Sequence, residues 1–190
     1  MQADLFDLGP HRPAGLDYRD DLITAADEAT LIEAFTALPF APFQFHGHEG
    51  LRRVVALGSR YDYARGAVAS ADPIPAWLTP LKDRAAAFAG LDSAELAQAL
   101  ITEYHPGAPI GWHRDRPVYG RIVGVSLGSA CVFRFRRARP AGGWDRFAQP
   151  LRPRSAYSLD GDARWTWEHS IAPATTPRWS ITFRTLRNPV

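Results

Sequence analysis

Residues 178–184 place polar and apolar side chains on opposite faces of one short strand. The sequence RWSITFR puts arginine, serine, threonine and arginine on one face, and tryptophan, isoleucine and phenylalanine on the other. If helices cover the apolar face, the polar face turns into a barrel interior, which suits a barrel that holds a polar ligand. An ordinary half-exposed strand with solvated arginines gives the same pattern, so both interpretations stay open.

Short strands separated by turn signals dominate the chain from about residue 101 onward. Asp160-Gly161 marks one such turn. Helical periodicity precedes this part, so the order of elements predicts an α+β protein with a barrel-like or jelly-roll β core. The predicted strands are a run at 53–57 and the β-branched or aromatic runs 122–127, 131–135, 156–159, 165–171 and 179–183.

Three helices are predicted in the first half of the chain. The first spans residues 24–38 with Thr24 as its N-cap, and the second spans about residues 75–88. A third begins at Asp92, whose spacing to Glu95 is that of a capping box. Before them, residues 1–20 are rich in proline, glycine and charge, which predicts a wrapped or loosely ordered arm.

Composition limits the classes of protein that fit. A length of 190 residues suits one domain, and a net charge of +2 is too small to indicate a strongly basic nucleic-acid binder. Cys131 is the only cysteine, which excludes an intramolecular disulfide and favours a reducing compartment. No apolar run approaches the roughly 20 residues of a membrane span, and no signal sequence is evident. We therefore expect a soluble, cytoplasmic monomer.

The motif His113-Arg114-Asp115 is the strongest chemical signal. A histidine and a carboxylate two residues apart in a strand point the same way, and with the distant His169 they can cover one face of a metal ion. Arg178 and Arg184 share a strand face, and a buried arginine is tolerated only when an anion pairs with it. These residues predict a non-haem Fe(II) site beside a pocket for a small carboxylic acid.

On these residues the chain resembles the AlkB family of Fe(II)- and 2-oxoglutarate-dependent dioxygenases. The resemblance runs from residue 101 to 184 and is weaker in the preceding helices and in residues 60–63. Its specific parts are the Arg-x5-Arg ending and the distance of that ending from His169. Tyr104 before the metal motif and the Ser-Leu-Gly sequence at 126–128 after it fit the same order.

The resemblance implies a double-stranded β-helix (jelly-roll) core with flanking N-terminal helices. It implies one domain over residues 1–190, with an arm at 1–20, helices and a substrate lid at 21–100, and the catalytic core at 101–187. The implied iron ligands are His113, Asp115 and His169, and the implied cosubstrate contacts are Arg178, Arg184 and Tyr104. Three protein ligands leave three octahedral positions, two for a chelating 2-oxo acid and one for O2.

The activity implied is oxidative decarboxylation of 2-oxoglutarate coupled to hydroxylation of a C–H bond. On an N-methyl group the product breaks down to formaldehyde and a bare nitrogen.

Two positions depart from the family pattern. Thr102 stands where many members have asparagine, and its hydroxyl still allows a hydrogen bond to the cosubstrate. Pro117 stands where nucleic-acid demethylases often have an acid facing the damaged base, which leaves the substrate open.

Two groups of residues are candidates for substrate binding. Tyr61, Asp62 and Tyr63 lie in the segment corresponding to the substrate lid, where tyrosines can stack on an extracted base or simply fill a strand surface. Arg136 and Arg137 belong to an arginine-rich region that either contacts phosphates or forms a solvated face.

The leading hypothesis for the function is demethylation of alkylated bases in DNA or RNA. The alternatives are the same chemistry on a protein side chain or metabolite, and a noncatalytic jelly-roll binding module.

Overall fold

A computed structural model describes residues 12–45 and 48–187, with side chains described outside residues 44–50. Strands predominate in this part of the chain. The helices are α1 (Ala25–Phe35), α2 (Thr79–Ala89) and α3 (Gly161–Trp165), with 3-10 turns at Ala76–Leu78 and Ser93–Glu95. The strands are β1 (Leu16–Arg19), β2 (Ala41–Phe45), β3 (His48–Leu57), β4 (Ser59–Asp62), β5 (Ala67–Ser70), β6 (Leu96–Tyr104), β7 (Ile110–His113), β8 (Tyr119–Gly128), β9 (Cys131–Ala138), β10 (Trp144–Leu151), β11 (Ala156–Leu159), β12 (Glu168–Ile171) and β13 (Arg178–Leu186).

Two antiparallel sheets form the β core. The larger has seven strands in the order β1-β11-β8-β13-β6-β3-β2, and the smaller has four in the order β10-β9-β12-β7. Strands β4 and β5 form a separate hairpin. The non-consecutive neighbours in both sheets are those of a double-stranded β-helix, so the predicted α+β fold with a jelly-roll core is confirmed.

Strand β13 lies in the middle of the larger sheet, between β6 and β8. Ile181 and Phe183 on one face join an apolar core that includes Phe35 of α1 and Leu81 of α2. The opposite face, which points away from the helices, carries the polar side chains. All four of them are buried, with exposed fractions of 1% to 8%: Arg178, Ser180, Thr182 and Arg184. The polar-interior interpretation of this segment is therefore confirmed, and its solvated alternative is wrong.

The first two helices form close to where the sequence predicts them. Thr24 caps α1: its hydroxyl accepts a hydrogen bond from the Asp27 N–H at 3.1 Å, and the Asp27 carboxylate accepts one from the Thr24 N–H at 3.0 Å. This capping box satisfies two backbone donors that a helix start otherwise leaves unpaired. Helix α2 ends at Gly90, whose φ of +66° is strain-free for glycine.

The predicted third helix is wrong. Asp92 and Glu95 do form a capping box, but it closes only one 3-10 turn, and the chain then extends as β6. Strand β6 pairs with β13 on one side and β3 on the other. A central strand bonded on both sides outweighs the helical propensity of its alanine, leucine and glutamine residues.

Two smaller expectations also change. Residues 165–171 were predicted as one strand, but Trp165 ends the short helix α3 and the strand begins only at Glu168. Part of the predicted N-terminal arm is an edge strand, because Leu16–Arg19 pairs with β11. Residues 1–11 of that arm lie outside the described residues.

Within the described part of the chain, no helix combines the length and apolar character needed to cross a membrane.

Candidate metal and cosubstrate site

The three predicted metal ligands come together at the smaller sheet. His113 on β7 and His169 on β12 are direct cross-strand partners, so their side chains leave the sheet on the same face. Asp115 follows β7 by two residues. One ligand atom from each of the three residues lies within 4.8 Å of the other two. Two imidazoles and one carboxylate at this spacing can bind one face of a divalent iron ion.

His113 is held as a neutral ligand. Its Nδ1 lies 2.9 Å from the Gly111 carbonyl oxygen, which leaves Nε2 as the coordinating nitrogen. Burial, together with a smaller contribution from the neighbouring His169, lowers the pKa of His113 from 6.5 to about 4. A neutral imidazole has a free lone pair, so the site favours the protonation state that a metal needs.

Asp115 is held as a carboxylate by Arg184. Nε and a terminal nitrogen of Arg184 both donate to Asp115 Oδ1, at 3.2 and 2.7 Å. The other oxygen, Oδ2, lies 3.3 Å from His169 Nε2. Burial alone raises the pKa of Asp115, but Arg184 and His169 outweigh it and hold that pKa well below its usual value.

Gln98 fixes the orientation of Arg184. Its side-chain oxygen accepts a hydrogen bond from the second terminal nitrogen of Arg184 at 2.8 Å. Its amide nitrogen donates to the Ser59 carbonyl and to the Tyr119 hydroxyl, at 2.8 and 2.7 Å. Gln98 was not among the site residues predicted from the sequence, although it lies in the alternating pattern of β6 that also contains Thr102 and Tyr104.

Arg178 differs from Arg184 because most of its donors are free. The side chain is 1% exposed, yet neither Nε nor one terminal nitrogen has a hydrogen-bond partner among the described residues. The other terminal nitrogen donates to the Ser126 hydroxyl at 3.2 Å, and the guanidinium lies 4.6 Å from the Tyr104 ring centroid. An isolated buried cation is costly, so this arrangement fits an anionic ligand with a planar acceptor group.

Small hydroxyl groups line the rest of this pocket. Tyr104 and Ser180 share a hydrogen bond of 3.1 Å between their hydroxyl oxygens. Thr102 is buried and is paired with Ser180 across the sheet, as Ser126 is from the other side. The structure therefore brings Thr102, Tyr104 and both arginines to one interior face. Their contact with a cosubstrate stays a prediction.

A buried arginine that the sequence analysis missed supports the loop after the metal motif. Arg164 in α3 donates to the carbonyl oxygens of Arg116, Tyr119 and Gly120, at 2.8, 2.6 and 2.8 Å. A longer contact of 3.4 Å reaches the Asp115 carbonyl. One side chain thus satisfies several backbone acceptors directly after the metal motif. The turn signal Asp160-Gly161 gave no indication of this role.

The predicted lid residues form the β4–β5 hairpin beside the metal loop. The Tyr61 and Tyr63 rings meet edge to face with centroids 5.1 Å apart. Arg116, directly after Asp115, lies 5.1 and 4.8 Å from these two ring centroids. The Asp62 carboxylate accepts hydrogen bonds from two backbone N–H groups of the turn, at 2.9 and 3.1 Å. The tyrosines therefore adjoin the metal loop, whereas Asp62 stabilises its own turn.

The two arginines predicted to bind substrate lie on β9, and each is paired with an acid. Arg136 Nε lies 2.6 Å from the Glu168 carboxylate. The guanidinium carbon of Arg136 lies 4.6 and 4.2 Å from the ring centroids of Trp112 and Trp144. Arg137 lies 3.1 Å from Asp145 and 3.8 Å from Asp162. Phosphate contacts by either arginine stay a prediction and would have to compete with these ion pairs.

The fold and the site together define a class of protein. A double-stranded β-helix whose interior carries two histidines, one carboxylate and a buried arginine with free donors has the parts of a non-haem iron oxygenase that uses a 2-oxo acid.

Comparison with known proteins places the chain within that class. A family model described as the 2OG-Fe(II) oxygenase superfamily matches residues 20–184. The chain belongs to this superfamily, whose members use Fe(II), 2-oxoglutarate and O2. The resemblance to its AlkB branch is confirmed by the relatives described next.

Two curated proteins and one solved structure are similar. An uncharacterized protein, L905, of Acanthamoeba polyphaga mimivirus is 37% identical over 78 residues, covering 40% of this chain and 36% of its own. An alkylated DNA repair protein ALKBH8 homolog of Arabidopsis thaliana is 27% identical over 180 residues, covering 83% of this chain and 50% of its own. The structure of OsALKBH1 superposes with a TM-score of 0.69 at 16% identity, over 92% of this chain and 98% of that one. The chain spans half or less of each curated relative's length.

Proposed function

We propose that this protein oxidatively demethylates alkylated bases in DNA or RNA. One observation carries the nucleic-acid part of the proposal: Tyr61 and Tyr63 stand beside the metal loop, held against Arg116. Aromatic side chains next to a reactive centre offer a stacking surface for a base removed from its neighbours. The name of the Arabidopsis relative, an alkylated DNA repair protein, supports the same substrate class.

The residues proposed for the reaction divide into two groups. His113, Asp115 and His169 would hold Fe(II), and Arg178 would pair with one carboxylate of 2-oxoglutarate through the donors that lack a partner. When bound, the iron would activate O2, which is the oxidant, and the 2-oxo acid would supply two of the four electrons that reduce O2; the substrate C–H bond supplies the other two. Arg184 holds Asp115 in its charged form and position.

The overall reaction balances as follows. One O2 and one 2-oxoglutarate convert an N-methyl group to N-hydroxymethyl, with release of succinate and CO2. The carbon–nitrogen bond of the hydroxymethyl group then breaks to give formaldehyde. The hydroxyl proton replaces the lost carbon on nitrogen in a neutral base and is released to solvent when the base was cationic. The protein contributes by orienting the methyl group and excluding water from the site.

The test is to load the protein anaerobically with Fe(II) and 2-oxoglutarate, add methylated DNA or RNA strands, and admit O2. Succinate, formaldehyde and base mass are followed together. We expect stoichiometric succinate and formaldehyde with loss of one methyl mass. Succinate formed without any change in the bases would contradict the nucleic-acid assignment and direct the search to protein side chains or metabolites. An Asp115→Ala protein that behaves like the parent would contradict the metal assignment.

A further inference from the structure

A row of cationic and aromatic side chains runs from strand β3 to the loop that carries Asp115. Arg52 of β3 lies 3.9 Å from the Phe43 ring centroid, and the Phe43 ring lies 6.5 Å from the Tyr63 ring in an edge-to-face arrangement. Tyr63 in turn meets Tyr61, and Arg116 lies near both tyrosine rings. We call these five residues the substrate wall. It has an arginine at each end and three aromatic rings between them.

Strand register shows that Arg52 faces the site. Arg52 is the direct partner of Tyr104, which is the direct partner of Arg178. Directly paired residues point to the same face of a sheet, so Arg52 stands in one row with two residues of the proposed cosubstrate pocket. The influence of Arg52 also reaches the metal ligands, because its charge contributes to the lowered pKa of His113. At the other end, Arg116 follows Asp115 directly.

Neither wall arginine has an acidic partner among the side chains that the structure describes. No carboxylate lies within 4 Å of Arg52 or Arg116 among the residues whose side chains are described. The neighbouring arginines behave differently: Arg53, on the opposite face of β3, lies 2.7 Å from Glu103, and Arg65 lies 3.7 Å from Asp62. Both wall arginines are half-buried, and burial lowers the pKa of Arg52 from its usual value. A half-buried arginine that packs on aromatic rings but has no carboxylate partner keeps hydrogen-bond donors available for a ligand.

The position two residues after Asp115 also carries no acidic side chain, which would favour a cationic base. Position 117, two residues after Asp115, is proline, which contributes neither charge nor a backbone donor. Among the side chains that the structure describes, the wall therefore contributes two positive charges, and the nearby Asp62 carboxylate is occupied by its own turn and by Arg65. Like charges brought together on binding oppose that binding and so discriminate against the wrong partner.

We infer that the substrate wall selects an uncharged methylated base, whose ring nitrogen or carbonyl oxygen accepts a hydrogen bond from Arg52 or Arg116. The inference rests on the proposed function and names its substrate class. Bases that become cationic when a ring nitrogen is methylated are the disfavoured class. The aromatic rings can stack on a base of either class, and the two arginines carry the proposed discrimination.

Two forms of the same base test this inference. N6-Methyladenine is neutral and N1-methyladenine is cationic near neutral pH, yet demethylation of both gives adenine. The same strand carrying one or the other is assayed with a single preparation of Fe(II)- and 2-oxoglutarate-loaded protein. The ratio of the two kcat/KM values is therefore independent of the fraction of active protein. We expect the parent to favour the neutral base by about tenfold or more, which corresponds to about 1.4 kcal/mol or more.

Substitutions of the two wall arginines test whether they cause the preference for the neutral base. Arg52→Gln and Arg116→Gln are each expected to reduce the ratio of the two kcat/KM values about tenfold. Arg52→Glu is expected to raise turnover of the cationic base above that of the parent. Misfolding does not produce such a gain. Arg60→Gln is the matched control, because Arg60 is exposed and alternates with Tyr61 on the hairpin. It should keep the parent's ratio.

The outcomes separate this inference from the proposed function. A parent that favours the cationic base, or a ratio unchanged in both glutamine variants, would overturn the inference alone. A parent that demethylates neither strand while still forming succinate would overturn the proposed function, and the inference with it.

Discussion

Arg184 donates two hydrogen bonds to one oxygen of Asp115, whereas Arg178, six residues earlier on the same strand face, has two nitrogens without a hydrogen-bond partner among the described residues. The two arginines of one motif therefore differ in their contacts. Arg184 contacts a candidate metal ligand and holds it in the charged form. Arg178 keeps donors for the proposed anion, and contact of Arg184 with 2-oxoglutarate stays a prediction.

Arg184→Gln is expected to weaken metal binding about 10- to 100-fold, because outer contacts that orient a ligand typically contribute that much to affinity. The measurement is a titration with Co(II) in the absence of 2-oxoglutarate, followed by its absorption spectrum. Arg178→Gln is the control, since its guanidinium contacts Ser126 and Tyr104 rather than a candidate ligand. Equal losses in the two variants would show that Arg184 has no specific role at the metal.

Arg178→Met is expected to abolish most 2-oxoglutarate binding while stabilising the free protein. Removing an unpaired buried charge stabilises by about 1–3 kcal/mol, roughly 3–10 °C in melting temperature for a chain of this size. Thermal melts with and without 2-oxoglutarate, in the presence of Mn(II), check both parts. We expect ligand to raise the melting temperature of the parent and to leave that of the variant unchanged. A less stable free variant would mean that Arg178 is already neutralised in the protein.

Arg164→Ala is expected to lower the free energy of unfolding by about 2–4 kcal/mol, because it leaves one buried and two part-buried carbonyl groups of the loop after Asp115 without this donor. Urea unfolding of the metal-free protein measures this. Arg114→Ala offers a comparison, because exposed Arg114 makes a single 3.3 Å hydrogen bond to the Trp165 carbonyl. It should cost at most about 0.5 kcal/mol. Similar losses in both variants would argue against the proposed support of the loop.

The metal-free protein is expected to lose stability as the pH falls from 6.5 to about 4. The pKa of His113 falls from 6.5 to about 4 on folding, so within that window the unfolded chain binds the proton more readily and acidification favours unfolding. The contribution is about 2–3 kcal/mol over the window. Urea unfolding at several pH values should show a smaller slope for His113→Gln than for the parent. Equal slopes would show that the folded protein tolerates a protonated His113.

Local patterns were enough to predict strand β13 but not to decide that its polar face is buried. The alternation in β13 matches its burial because the strand lies between two others with helices on one face. The two-residue repeat of a strand predicted that His113 and Asp115 point the same way, but β7 ends at His113 and Asp115 lies in the loop beyond it. Their closeness to His169 depends on the pairing of β7 with β12, and the family resemblance supplied what local spacing does not.

Other features depend on contacts between distant parts of the chain. The residues of β6 favour a helix locally, and only pairing with two strands from elsewhere makes them extended. Arg136 and Arg137 resemble a free basic surface in sequence, yet Glu168 and Asp145 lie against them in space. Gln98, Arg164 and Arg52 were missed for the same reason, since each acts through partners more than twenty residues away.

Strand β7 is at the edge of the smaller sheet and pairs only with β12, with an irregular register after the His169 position. Edge strands open locally at a lower free energy than central ones. Because one candidate ligand lies on this edge and another on its neighbour, metal dissociation and local opening of β7 are thermodynamically linked. Amide hydrogen exchange at Trp112 and His113 then becomes a measure of metal occupancy, independent of any substrate.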